Sequence, residues 1–371
     1  MYKTIEDKTI VWSSSSNQYV IVENQTAEII KRLSKGDPTA LVSRELAAKL
    51  SLPISNAIEL VSKIQQTFLN PKKSKNLDPT KELTNSSIPK NYLVEKYYKI
   101  NNTVIKSAYK GLKECFLVHP KFEHLQVLPT KYDSCFEVFI KDDAIFLFVN
   151  SQFINAWASK DVHFFQGKFS MELIQQIHKK QQDKWMGVFH GSAVSDAQKA
   201  MLFLGDSGNG KSTSLALLQA HGFNCLADDF VPIDAQKQEV YSFPAAISVK
   251  KNSLKILLPL YPALEDAAQY DFKTTQKIVR YLTPNNSDYT IHLPCKGLVF
   301  IKYLENAPTT CAKISKLEAF KLLVPDSWIS PKKENAQQFI DWFDTQHCYQ
   351  LTYSNTKQMV AEVSKLFKDE L

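Results

Sequence analysis

Apolar residues in the first seventy positions fall into two periods. Thr9 to Trp12 and Tyr19 to Val22 are short β-branched and aromatic runs parted by the polar stretch Ser13 to Asn17, which predicts a hairpin. Spacing then changes to three and four. Asn24 is placed to cap a helix carrying Ala27, Ile30 and Leu33 and closing at Gly36. Pro38 opens a second helix with Leu41, Leu46 and Leu50, and Pro53 a third in which Ile54, Ile58, Val61, Ile64 and Phe68 share one face. Such short amphipathic helices are stable only when packed together, so residues 1–70 are expected to form one winged-helix-like unit. Residues 71–90 are polar and proline-bearing, the composition of a linker.

From 91 to 184 the pattern is β-rich. Val94 to Ile100, Thr103 to Ser107, Phe116 to His119, Phe136 to Ile140 and Ala144 to Val149 read as strands, the last two joined as a hairpin across Lys141 to Asp143. Ser170 to Lys184 reads as a helix. Beyond residue 185 strands and helices alternate, which predicts an α/β unit over 185–371.

That last region holds the strongest chemical signal. Gly205-Asp206-Ser207-Gly208-Asn209-Gly210-Lys211-Ser212-Thr213 matches G-x-x-x-x-G-K-[ST] in full. Ala200 to Leu204 is a buried-strand run just before it, and Ser212 to Ala220 a good helix just after. Glycines let the backbone curl so that several N–H groups point inward, and the helix adds its positive end, so the loop suits a phosphate. Lys211 would reach the outer phosphates, and the Ser212 hydroxyl would bind a Mg²⁺ bridging them. The helix is expected to stop near His221-Gly222, with Phe223 to Ala227 as the next strand. A right-handed strand–helix–strand unit makes the two strands parallel, so Asp228 and Asp229 arrive beside the loop. One carboxylate would hold the metal and the other face an incoming hydroxyl as a base. Asp228 is taken for the metal and Asp229 for the base. His190 follows the strand Gly187 to Phe189 and starts a hairpin leading to the loop strand, which brings it to the same neighbourhood.

Composition narrows the setting. Hydrophobic residues make up 44% and charged residues 22%, the balance of a folded protein. No apolar run approaches the roughly 18 residues a bilayer span needs, and the charged start predicts no secretion signal, so the cytoplasm is the expected compartment. Six dispersed cysteines suggest neither a disulfide framework nor a zinc site, and Cys115, His119 and His124 lack a fourth ligand. The net charge of +7 is concentrated between Pro71 and Lys110, where nine lysines face three acidic residues. Residues 1–70, by contrast, hold eight basic and seven acidic side chains, too even a balance for a DNA reader.

The text Phe189-His190-Gly191-Ser192-Ala193-Val194, Leu204 through Thr213, and Leu226-Ala227-Asp228-Asp229 resembles the catalytic domain of HPr kinase/phosphorylase and related peptide-tailoring kinases. The resemblance implies that His190, Lys211, Ser212, Asp228 and Asp229 form a site moving the γ-phosphoryl of ATP to a serine. Thr213 stands where HPr kinases carry an acidic residue, and Phe243 to Lys250 replaces their Gly-rich segment, which points to the tailoring subgroup. Residues 1–70, around Asn24-Gln25-Thr26-Ala27-Glu28-Ile29-Ile30, are similar to PqqD-like modules, in which a leader peptide adds a strand to the hairpin edge. Together these imply an ATP- and Mg²⁺-dependent serine kinase acting on a precursor peptide, with a homo-oligomer implied by the family's assembly and neither membrane nor nucleic acid as partner. A kinase of a small molecule or another protein, and a non-enzymatic nucleotide- or DNA-binding regulator, are the alternatives.

Overall fold

The computed structural model describes residues 1–69, 89–272 and 277–370. The expected linker, apart from residues 89 and 90, lies outside them. Strands β1 (Tyr2–Ile5), β2 (Lys8–Ser13) and β3 (Gln18–Glu23) form an antiparallel sheet in that order, followed by α1 (Asn24–Ser34), α2 (Thr39–Leu50) and α3 (Ile54–Phe68). Asn24 does not cap α1. The chain runs from β3 straight into the helix, so the extended capping position falls on Glu23, while the Asn24 side chain accepts from the Thr9 hydroxyl at 2.7 Å and donates to the Asp7 carbonyl at 3.1 Å. The helical core is also narrower than the spacing suggested. Val42, Leu46, Ala57, Val61 and Ile64 are buried, whereas Leu41, Leu50, Ile54 and Ile58 are exposed. At 100° per residue Ile54 and Ile58 sit beside, not within, the stripe through Ala57, Val61 and Ile64.

The middle region builds a six-stranded sheet. Its elements are β4 (Val94–Ile100), β5 (Thr103–Tyr109), α4 (Leu112–Phe122), β6 (Gln126–Val127), β7 (Ser134–Lys141), β8 (Ala144–Val149), β9 (Gln152–Ala158) and α5 (Val162–His178), with strand order β6-β4-β5-β7-β8-β9. Phe116 to His119, expected as a strand, lies inside α4. Cys115, Val118 and Phe122 recur at three and four residues and are buried together, so a helical face facing the core overrides four residues of β-prone sequence. Helix α5 begins at Val162, not Ser170, and ends at His178, with Gln182–Lys184 forming a separate 3-10 turn. Its early turns bury Phe165 and Phe169, the latter ring 4.8 Å from that of Phe136.

The third region runs β10 (Trp185–Phe189), β11 (Ser192–Ser195), β12 (Ala200–Leu204), α6 (Lys211–Ala220), β13 (Asn224–Asp228), β14 (Val231–Asp234), β15 (Glu239–Tyr241), β16 (Ile247–Lys250), α7 (Leu254–Leu257), β17 (Tyr270–Phe272), β18 (Lys277–Leu282), β19 (His292–Tyr303), β20 (Thr310–Lys313), α8 (Lys316–Leu323), β21 (Ser327–Ile329), α9 (Lys333–Thr345), β22 (His347–Tyr353) and α10 (Thr356–Phe367). The order around the loop strand is β13-β11-β12-β19-β22. β12 and β13 are each antiparallel to β11, which lies between them, so they run parallel to each other. β19 and β22 extend the same sense on the other flank. The loop after β12 and the end of β13 thus open on one edge, where open α/β sheets bind ligands.

The chain is mixed α/β, and its three regions share one continuous apolar core reaching from Ile10 and Trp12 through Phe136 to Trp185, Phe243 and Phe339. One face of the β1–β3 sheet covers α1 to α3; the other docks on the third region. Tyr19 sets its ring edge-on to Phe320 and Phe339, Lys3 bridges Asp341 at 3.2 Å and Asp344 at 3.1 Å, and Asn17 donates to the Ile329 carbonyl at 2.8 Å. Among the described residues no helix is long and apolar enough to cross a membrane.

Candidate phosphate-binding site

The loop from Gly205 to Gly210 departs from β12 and closes on the first turn of α6. Gly205 has φ +129°, and a Cβ there would meet the Ile301 carbonyl at 2.9 Å. Gly210 has φ +91°, and its Cβ would lie 3.0 Å from the Tyr353 hydroxyl. Both positions need glycine twice over, for the left-handed backbone and for the missing side chain. Asn209 donates its N–H to the Asp206 carbonyl at 3.2 Å, and its own carbonyl accepts from the Tyr303 N–H at 3.0 Å, which pins the loop to the end of β19. Ser207 accepts from the Lys250 ammonium at 3.4 Å. Thr213 shares a hydrogen bond of 2.6 Å with Ser253.

Lys211 is buried at the start of α6, its ammonium donating to the Gly205 carbonyl at 2.5 Å and to the Asp206 carbonyl at 3.2 Å. Burial lowers its pKa from the usual lysine value, with Asp229 and Asp228 opposing that shift. Next to it, the Ser212 hydroxyl donates to Asp228 at 2.9 Å. Asp228 is almost fully buried, and the same carboxylate accepts from the Ser192 hydroxyl at 2.7 Å and from the Ser248 N–H at 3.0 Å. Burial, then the neighbouring Asp229, pushes its pKa up to about 6 against those three hydrogen bonds. A serine hydroxyl and a carboxylate make the hard oxygen set that Mg²⁺ takes from a protein when substrate phosphates complete its shell. Among the described residues no group of three or more His, Cys, Asp or Glu side chains gathers as a metal cage.

Asp229 faces elsewhere. It stands just past the end of β13 with φ +63°, in the left-handed region that aspartate enters more readily than most residues. Its carboxylate pairs with Lys121 at 3.1 Å, and its carbonyl lies 3.3 Å from His190 Nδ1. Burial would raise the Asp229 pKa, but Lys121, then His190 and Lys211, outweigh it and hold the carboxyl below its ordinary range. Burial likewise works against the Lys121 cation and is overcome by Asp229 and Tyr281, so the pair stays charged. His190 is exposed, and its backbone N–H donates to the Asp326 carbonyl at 3.3 Å.

The structure therefore gathers Lys211, Ser212, Asp228, Asp229 and His190 at one sheet edge and separates the two carboxylates by partner: one on the serine, one on a lysine. Lys121 is the member that the sequence does not disclose. It comes from α4 in the middle region, 108 positions before its partner, in a helix whose text reads locally as a strand. The Lys121 carbonyl also accepts from the Ala246 N–H at 2.8 Å, tying α4 to the stretch that leads into β16. Arg280 points away, to the carbonyls of Leu264 and Glu265. His119 lies 3.1 Å through Nδ1 from the Tyr98 hydroxyl, and the two rings of that pair lie 6.0 Å apart.

No family model matches the chain, and no curated protein is similar enough to match. Among solved structures it aligns with the Hpr(Ser) kinase/phosphatase from Coxiella burnetii over 49% of this chain and 94% of that one, at 7% identity and a TM-score of 0.23.

Proposed function

We propose that the chain is an ATP-dependent phosphotransferase that moves the γ-phosphoryl group to a serine hydroxyl of a ribosomally made precursor peptide. The observation that carries this is the 2.9 Å contact between Ser212, in the first turn after the glycine loop, and Asp228, at the end of the strand one crossover later. Loop N–H groups and Lys211 would hold the β- and γ-phosphates, and Ser212 with Asp228 would hold Mg²⁺, which when bound neutralises charge on the phosphates. Asp229, with His190 beside it, would receive the acceptor hydroxyl. In the transfer the bond from the β,γ-bridging oxygen to the γ-phosphorus breaks and the acceptor oxygen takes its place, its proton leaving toward Asp229 and ADP departing. Lys121 makes Asp229 a weak base but a well-placed one, which suits a loose transition state needing position and charge balance more than proton abstraction.

The peptide acceptor is supported by the N-terminal unit. Among the described residues β3 is an edge of its sheet with no further strand beside it, and α3 leaves Ile54 and Ile58 exposed, a strand edge and apolar side chains of the kind an added peptide strand uses. Its docking contacts favour a second reading, in which the unit is only a packing element and the acceptor a small molecule. Incubation with ATP, Mg²⁺ and candidate precursor peptides, read by mass spectrometry, separates the two. A phosphorylated peptide whose yield drops at least tenfold in Ile58→Glu, with nucleotide affinity unchanged, is the expected result. Phosphorylated peptide at equal yield from both proteins removes the recruiting role, and no phosphopeptide from any candidate removes the peptide acceptor.

A further inference from the structure

The loop strand β12 has a different neighbour on each side, and they carry different chemistry. Through β11 lies β13 with the two aspartates. On the opposite side β19 runs parallel to β12, in register from Met201 opposite Gly297 to Leu204 opposite Phe300, and continues three residues further to Tyr303. That overrun brings Tyr303 against the loop. Its backbone N–H donates to the Asn209 carbonyl at 3.0 Å, and its Cβ lies 3.4 Å from where a side chain on Gly210 would begin. The ring is backed by Tyr353 in a T-shaped contact at 5.5 Å, and the Tyr353 hydroxyl is hydrogen-bonded to Ser214 of α6 at 2.9 Å. Despite that backing Tyr303 remains 40% exposed, and Leu304 beside it 48%. A large aromatic side chain is thus braced from behind and left partly open beside the phosphate loop.

A triphosphate seated in the loop with its outer phosphates toward Asp228 and Asp229 sends its inner phosphate, and whatever is attached to it, to the other flank. We propose that Tyr303 is the stacking platform for the nucleotide base, a role that presupposes the phosphate loop proposed above. Aromatic side chains stack on any base, because every base offers a π face, so Tyr303 would hold the base without choosing among bases. Its contribution is to affinity for a nucleotide over a bare polyphosphate.

Titration calorimetry with MgATP and with magnesium tripolyphosphate, on the wild type, Tyr303→Ala and Tyr303→Phe, tests this. Tyr303→Ala is expected to bind MgATP about tenfold more weakly and tripolyphosphate as the wild type does, while Tyr303→Phe keeps both affinities. Unchanged MgATP affinity in Tyr303→Ala overturns the stacking role. So does an equal loss for both ligands with Tyr303→Phe normal, which assigns the ring to holding the loop. A wild type that binds neither ligand overturns the phosphate loop itself and the stacking role with it, so the two failures are read apart.

Discussion

Lys121 leaves α4 and ends 3.1 Å from Asp229, with about a quarter of its side chain and a third of its partner's exposed. A pair in that setting is neither a screened surface bridge nor a fully desolvated one, so each group depends on the other for much of its solvation. Lys121→Met would take from the carboxylate its nearest cation, leaving the weaker influence of His190 and Lys211, and should cost on the order of 1–3 kcal/mol of stability, after allowance for the water that reaches the pair. Removing the charge from the partner should recover most of that loss. In urea unfolding, the double variant Lys121→Met with Asp229→Asn is therefore expected to be less destabilised than the sum of the single changes. Strict additivity would mean that the two groups are neighbours without being coupled. The site was legible in sequence where its chemistry is contiguous. The motif from Gly205 to Thr213 announces itself because a phosphate-binding sequence constrains backbone and side chains together, and Asp228 follows one crossover later. Lys121 carries no such mark, since its place at the site depends on a tertiary contact between regions, and nothing in the local text sets it apart from Lys113 of the same helix.

At the scale of elements, the strands around the loop and the hairpin into it were readable from their apolar runs, because buried strands need continuous hydrophobic text. The errors fall where a local pattern competes with a face. α4 holds four residues of β-prone sequence, Phe116 to His119, turned helical by the spacing of Cys115, Val118 and Phe122, and α5 starts early across Gly167 because Phe165 and Phe169 are wanted in the core. The end of α5 carries a measurable consequence. His178 closes that helix wedged between the rings of Trp185, at 5.7 Å, and Tyr241, at 5.0 Å, with Lys180, His292 and Asp234 around it. Burial first, then Lys180 and His292, lowers its pKa to about 4. An unfolded histidine binds its proton near pH 6.5, so between about 6.5 and 4 the unfolded chain takes up the proton that the folded one refuses. His178 thus leaves stability intact above about pH 6.5 and removes up to about 3 kcal/mol as the pH falls toward 4. Urea midpoints measured across that range should fall for the wild type and fall less for His178→Phe; parallel curves would show that the imidazole is not responsible.

Over the whole molecule, the three regions read from the sequence are bound more closely than their composition suggested. The N-terminal sheet faces its own helices on one side and Phe320 and Phe339 on the other, and the middle region lends Lys121 to the site. Neither contact could be read in advance, because both join segments more than a hundred residues apart and depend on which surface each folded unit leaves uncovered. What was readable is the arrangement at the sheet edge: a strand, a glycine loop, a helix beginning with lysine and serine, and an aspartate pair after the next strand. The central claim is that this edge holds a nucleoside triphosphate by its phosphates. Titration calorimetry of Lys211→Ala against the wild type with MgATP tests it most directly. Saturable binding by the wild type, weakened at least tenfold in Lys211→Ala with an unchanged melting temperature, is the expected result. Equal affinity in the two proteins, or no binding by a folded wild type, would contradict it.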